Sequence, residues 1–173
     1  MKEEVILINE ANEVIGQMEK MEAHQKGLLH RAFSVFLFNE KGEWLLQKRA
    51  STKYHSPGLW TNSCCGHPRP GEDIASAAQR RLKEEIGIQV SLNILFEFQY
   101  HCKFDNMLIE NEWDYVLFGT TELLPLVNPD EVDDWKWMKQ EDIENELQRN
   151  PEQFTFWFKH IMKHHLKPLI LKT

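Results

Sequence analysis

The chain has 173 residues, room for one domain with a substantial core, and its 42% hydrophobic content, with six Trp and ten Phe against 27% charged residues, excludes a disordered segment. Twenty basic against 27 acidic residues leave a net charge of −7, which disfavours broad nucleic-acid binding and requires any anionic ligand to be held by a local basic cluster or a divalent metal. No stretch approaches the roughly 20 apolar residues of a membrane helix, and three cysteines, two of them adjacent, suit a reducing compartment. A cytoplasmic monomer with no nucleic-acid or membrane partner is expected.

Glu4 to Asn9 (EVILIN) is apolar and β-branched and runs into the turn-forming Asn9-Glu10-Ala11-Asn12, which predicts an opening strand. Ala32 to Asn39 and Trp44 to Lys48 flank Asn39-Glu40-Lys41-Gly42, a hairpin turn. Residues 51 to 72 carry Pro57, Gly58, Gly66, Pro68, Pro70 and Gly71 and read as one long loop, the kind of segment that often carries function. Glu72-Asp73 place acids at a helix start, and Ala75, Ala78, Leu82 and Ile86 recur at spacings of three and four, so a helix runs from about Ile74 to Glu85 and stops at Gly87. Ile94 to Lys103, Glu112 to Thr120 and Trp135 to Met138 read as strands, and two helices close the chain near Gln140 to Gln148 and Pro151 to His165. With no linker or repeat to divide it, residues 1–173 are expected to form a single α+β domain.

Chemistry concentrates in the loop and beyond it. His24, His30 and His67, with Glu110 and Glu112, supply enough imidazoles and carboxylates to surround a divalent transition metal, and the two glutamates at i and i+2 share one face of a strand. Taken singly, each of these is better read as a surface residue; the set of five beside the loop motif reverses that. Cys65 has Gly66 beside it and a potential ligand two residues on, and nearby cations would lower its pKa toward a thiolate, although composition does not separate it from Cys64 as a small buried hydrophobe. Lys48, Arg49 and Lys53, with Lys20, Arg80 and Arg81, reverse the overall charge locally and suit a diphosphate, although Lys48 reads better as a solvated face. Trp157 on its own reads as core.

From Gly66 through Glu72, Arg80, Leu82, Glu84-Glu85 and Gly87 the spacing resembles the Nudix signature, except that Arg81 stands where hydrolases carry a metal-binding glutamate, which counts against diphosphate hydrolysis. Lys20 with His24, His30, Arg49 with Lys53, the run Pro57 to Pro68, Arg81 to Glu85, Tyr100, Glu110-Asn111-Glu112 and Trp157 together resemble the type I isopentenyl-diphosphate Δ-isomerases, a Nudix-fold family. That resemblance implies an α+β Nudix fold with a mixed sheet flanked by helices, and an isomerase of isoprenoid biosynthesis that interconverts isopentenyl and dimethylallyl diphosphate through a carbocation-like species. It implies catalysis by Cys65, Glu112, Tyr100 and Trp157, and substrate binding by Lys20, Arg49, Lys53 and Arg81. It also implies one divalent metal (Mn²⁺, Zn²⁺ or Mg²⁺) on His24, His30, His67, Glu110 and Glu112, and a separate Mg²⁺ held with the diphosphate by Glu85. The rival readings are a Nudix hydrolase and a Nudix-fold binding module.

Overall fold

The architecture is a computed structural model that describes residues 3–104 and 106–166. Strand β3 (His30–Phe38) is its axis. On one side it pairs in parallel with β8 (Ile109–Thr120), in register from His30 opposite Glu112 to Phe38 opposite Thr120. On its other side it pairs antiparallel with β6 (Cys64–Gly66), which sets Cys65 against Ser34. The sheet continues through β7 (Asn93–Lys103) on β8, β4 (Trp44–Arg49) with β9 (Val132–Met138) and β5 (Trp60–Thr61), and β1 (Glu4–Ile8) with β2 (Val14–Glu19).

Because side chains alternate along a strand, β3 sends Phe33, Val35 and Leu37 to one face and Ser34 and Phe36 to the other. The first face packs on helix α2 (Ile74–Ile86) through Ala77, Ala78, Leu82 and Ile86. Asp73 caps that helix by accepting from the Ser76 amide at 3.0 Å, and Gly87 ends it at φ 69°, a left-handed turn where a Cβ would meet the Leu126 carbonyl at 3.0 Å. The second face packs on α4 (Phe156–Ile161), with Ile143 of α3 (Gln140–Arg149) in the same cluster. None of the helices among the described residues is long and apolar enough to cross a membrane.

The elements depart from the sequence reading in three places. The loop 51–72 contains β5 and β6, since Asn62 and Ser63 side chains hydrogen-bond backbone groups of β3 and β4 and hold this segment in the sheet. Strand β2 and helix α1 (Lys20–Lys26) were not expected, because β2 is mostly exposed and α1 buries only Ala23 and His24, leaving neither a clear apolar period. The closing segment is no single helix. Residues 151–153 form a 3₁₀ turn, Phe154 and Thr155 are extended with Phe154 bridging to Trp60, and α4 gives way to a π turn over Met162–Leu166.

Candidate active site

Three strands and one short helix converge on a single polar region at the end of the α4 face. Strand β8 presents Glu110, Glu112 and Asp114, all at most 5% exposed, at every second residue. Helix α1 supplies His24, the first residue of β3 supplies His30, and His67 follows β6. His24 Nδ1 lies 2.7 Å from the Lys20 carbonyl and His30 Nδ1 2.7 Å from the Leu28 carbonyl, so each Nδ1 carries the proton and donates it. Each Nε2 is therefore a lone pair, fully buried and without a hydrogen-bond partner. Two orphaned nitrogens aimed at carboxylates cost free energy unless a cation lies between them.

The donor atoms of His24, His30, His67 and Glu112 all lie within 4.8 Å of one another, as do those of His24, His55 and Glu110. Residues present and chemistry thus fit a divalent ion. Burial, with the neighbouring His30 and His24 imidazoles, holds His67 well below the ordinary imidazole range, and burial lowers His24 too, so both stay neutral and available as ligands. Glu85, expected to serve a separate ion, stands apart from this cluster on the wall of the same cleft, where it accepts from Gln47 Nε2 at 2.9 Å and pairs with Arg81.

Tyr100, opposite Glu112 on β7, donates its hydroxyl to Glu112 Oε2 at 2.6 Å, with Glu110 Oε2 at 3.0 Å. Burial works to raise Glu112, but its polar surroundings, with the His30 imidazole 3.5 Å from its Oε1 foremost, prevail and hold it at about 2. Cys65 reaches the same cleft from the other side of β3. Its Sγ donates to Asn62 Oδ1 at 3.2 Å, accepts from Trp157 Nε1 at 3.1 Å and lies 3.8 Å from Ser34 Oγ. Cys64 points the opposite way, into the α2 core.

One expectation is corrected. In the protein alone Cys65 is not drawn toward a thiolate: burial, then Asp114 and Glu85, push its thiol up to about 12, and the pull of Asn62 and Arg49 does not offset them. Trp157, read as core, is 4% exposed and packed in the apolar cluster, yet it also lines the cleft and holds Cys65.

The cleft encloses about 560 Å³, its open mouth included, and all four expected cations line it. Lys20 pairs with Glu3, Lys53 with Glu131, and Arg81 with Glu84 and Glu131 at 2.8 and 2.9 Å, while Arg49 lies 5.3 Å from the Trp157 ring. His55 went unnoticed in the sequence. It sits among Pro and Gly in a segment without periodicity, and only the fold brings it to Glu110, with Nε2 2.9 Å from Oε1.

Known proteins resemble this chain in sequence and in fold. A family model described as the NUDIX domain matches residues 28–158. The chain is 48% identical over 157 residues to isopentenyl-diphosphate Delta-isomerase 2 of Aromatoleum aromaticum, covering 91% of this chain and 83% of that one. It is 49% identical over 162 residues to isopentenyl-diphosphate Delta-isomerase 2 of Photorhabdus laumondii, covering 94% and 92%. Among solved structures, a Deinococcus radiodurans protein superposes with a TM-score of 0.71 at 22% identity over 86% of this chain and 90% of that one, and the MutT protein of Methanosarcina mazei with 0.62 at 20% over 76% and 88%. At those identities the two structures speak to the fold.

Proposed function

The chain belongs to the Nudix family and, within it, to the isopentenyl-diphosphate Delta-isomerases, and from that premise we propose how its residues interconvert isopentenyl and dimethylallyl diphosphate. The observation that carries the reading is that Cys65 and Glu112 enter one cleft from strands on opposite sides of β3, with Tyr100 on Glu112 and Trp157 on Cys65. An allylic shift needs one proton added at C4 and another taken from C2, by groups that approach different faces of the same small substrate. The isomer forms without loss of phosphate, so the diphosphate serves only as a handle.

Glu112 delivers the proton, with Tyr100 as its hydrogen-bonded partner. Held at about 2, Glu112 rests as a carboxylate that accepts the Tyr100 hydroxyl, so the proton it delivers is one it takes up with substrate in place, and burial keeps the Tyr100 phenol protonated and able to donate to it. The proton leaving C2 goes to Cys65 in its thiolate form; the resting pair is a thiol and a carboxylate, so the reactive pair is reached when Cys65 gives up one proton and Glu112 gains one, and the two transfers to and from substrate then balance. Trp157 faces the developing positive charge, where a desolvated cation–π contact is worth about 2 kcal/mol, more than tenfold in rate. Its indole N–H also fixes the sulfur.

His24, His30, His67, Glu110 and Glu112 hold a divalent cation (Mn²⁺, Zn²⁺ or Mg²⁺), and Glu85 holds Mg²⁺ with the diphosphate. When bound, these ions supply Lewis acidity to Glu112 and counter-charge beside Cys65. Lys20, Arg49, Lys53 and Arg81 bind the diphosphate oxygens, with arginine gripping two at a time. The site is complete within one copy, in keeping with a monomer and a single domain over 1–173, and three unpaired cysteines fit a reducing cytoplasm.

The test is ¹H and ³¹P NMR of isopentenyl diphosphate in D₂O with the purified protein, Mg²⁺ and Mn²⁺. Dimethylallyl diphosphate carrying deuterium, with no phosphate released, is expected. Released phosphate or pyrophosphate would make the chain a hydrolase instead, and an unchanged spectrum from folded, metal-loaded protein would remove the catalytic reading.

A further inference from the structure

We infer that His55 is a fourth histidine ligand of the metal centre, binding on the Glu110 side, an inference that rests on the metal-binding reading above. His55 lies between β4 and β5, 6% exposed, in a sleeve of aromatic rings: Phe104 stacks on it at 5.1 Å, with Tyr54 and Trp157 edge-on at 4.5 and 5.7 Å. Its Nδ1 is buried without a partner, and its Nε2 meets Glu110 Oε1 at 2.9 Å. Arg49 donates to the His55 carbonyl at 3.1 Å and fixes the backbone there. An imidazole placed at this expense in an apolar sleeve needs a reason at its one polar contact, and that contact is a metal-binding carboxylate.

Geometry supplies the reason. Adjacent donors on an octahedral ion with bonds of about 2.1 Å lie about 3.0 Å apart, and opposite donors about 4.2 Å. The imidazole to carboxylate distances are 2.9 Å for His55 to Glu110, 3.7 Å for His24 to Glu110, 2.8 Å for His67 to Glu112 and 3.5 Å for His30 to Glu112, so an ion fits between the partners on either side; the donors form two groups that share His24, and a single ion would draw the Glu110 and Glu112 sides together. His24 belongs to both donor groups, so His55 closes the Glu110 side as His67 closes the Glu112 side. Six protein donors, four of them imidazole nitrogens, leave no position for water. They select a borderline transition ion such as Zn²⁺ or Mn²⁺ over Mg²⁺, which prefers oxygen and keeps its waters.

The experiment counts ligands directly. Wild-type protein labelled with ¹⁵N-histidine is titrated with Zn²⁺, following ring-nitrogen shifts and metal per chain, and a competing chromophoric chelator gives the affinity of wild type and His55→Gln. One ion per chain, four shifted imidazoles and an affinity at least tenfold weaker in His55→Gln are expected. Three shifted imidazoles with one ion bound would overturn the inference and leave the metal reading standing. Two ions per chain would overturn it as well, whereas a wild type that binds no stoichiometric ion would bring down both. The wild-type count does not depend on the variant folding.

Discussion

Adjacent cysteines on one three-residue strand meet opposite fates because successive side chains leave a strand on opposite faces. Cys64 is fully buried against α2, while Cys65 faces Trp157, Asn62 and the cleft. Cys65→Ala should therefore lower kcat by about 10²- to 10⁴-fold with little change in melting temperature, the usual worth of a positioned acid or base. Cys64→Ala should leave kcat nearly intact and cost about 1 kcal/mol of stability through the small cavity it opens. Steady-state kinetics and thermal melts on the two variants decide between them; comparable losses of kcat would remove the distinction. At this scale much was legible: a spacing of two unites Glu110 with Glu112 and Cys65 with His67. The thiol's ionisation was not, because what raises it, burial first and then the carboxylates of Asp114 and Glu85, is supplied by other elements packed around it.

Elements hold the site together through contacts that the residue pattern does not announce. Gly66 lies where β6 crosses α2, and a Cβ there would fall 2.9 Å from Phe33 Cζ and 3.1 Å from Arg81 Cγ. Gly66→Ala should cost about 1–3 kcal/mol, lowering Tm by roughly 2–10 °C in a chain of this size, and should raise KM as Arg81 is displaced. Differential scanning calorimetry with kinetics checks both, and an unchanged KM would show that Arg81 tolerates the shift. The loop after β4 is stapled twice to the start of β9, since the Ala50 amide donates to the carbonyl of Glu131, just before that strand, and the Ser51 amide to the Asp133 carboxylate. The Glu131 carboxylate meanwhile occupies Lys53 and Arg81, the cations proposed for the diphosphate. Glu131→Gln keeps the staples and removes the competitor, so KM for isopentenyl diphosphate should fall about three- to tenfold, or ~1 kcal/mol. A KM that rises would recast Glu131 as a support for those cations. Long amphipathic or alternating elements such as α2 and β8 were readable from their periods. Helix α1 was not, since its worth lies in placing His24, and the break at Phe154 and Thr155 reflects a tertiary bridge to Trp60 that no local preference encodes.

For the whole molecule, the cost of building this site should appear as a dependence of stability on pH. His24 and His67 are lowered chiefly by burial, so between their folded values and the ordinary 6.5 the unfolded chain binds more protons than the folded one. Stability therefore falls as pH drops below 6.5; His30, raised by Glu112, works in the opposite sense but stands alone against the two. A second loss follows below 4.5, where Glu72 is lowered by its hydrogen bonds from Arg80, and Glu131 is lowered because Lys53 and Arg81 outweigh its burial. Carboxylates of this kind contribute fully above the unfolded value and lose their contribution as pH falls through the folded one. Metal binding requires the same imidazoles to be neutral, so its benefit should shrink over the first of these windows. At a free metal concentration of 100 Kd the gain is about 2.7 kcal/mol, which for a chain of this size is roughly 5–10 °C in Tm. Thermal melts from pH 4 to 8, in EDTA and with saturating Zn²⁺ or Mn²⁺, should show an EDTA curve that declines in two stages and a metal-induced shift that is largest near pH 7.5 and nearly gone by pH 5. A shift of equal size at both ends would mean that the ion is held by carboxylates alone, leaving the buried imidazoles without their purpose.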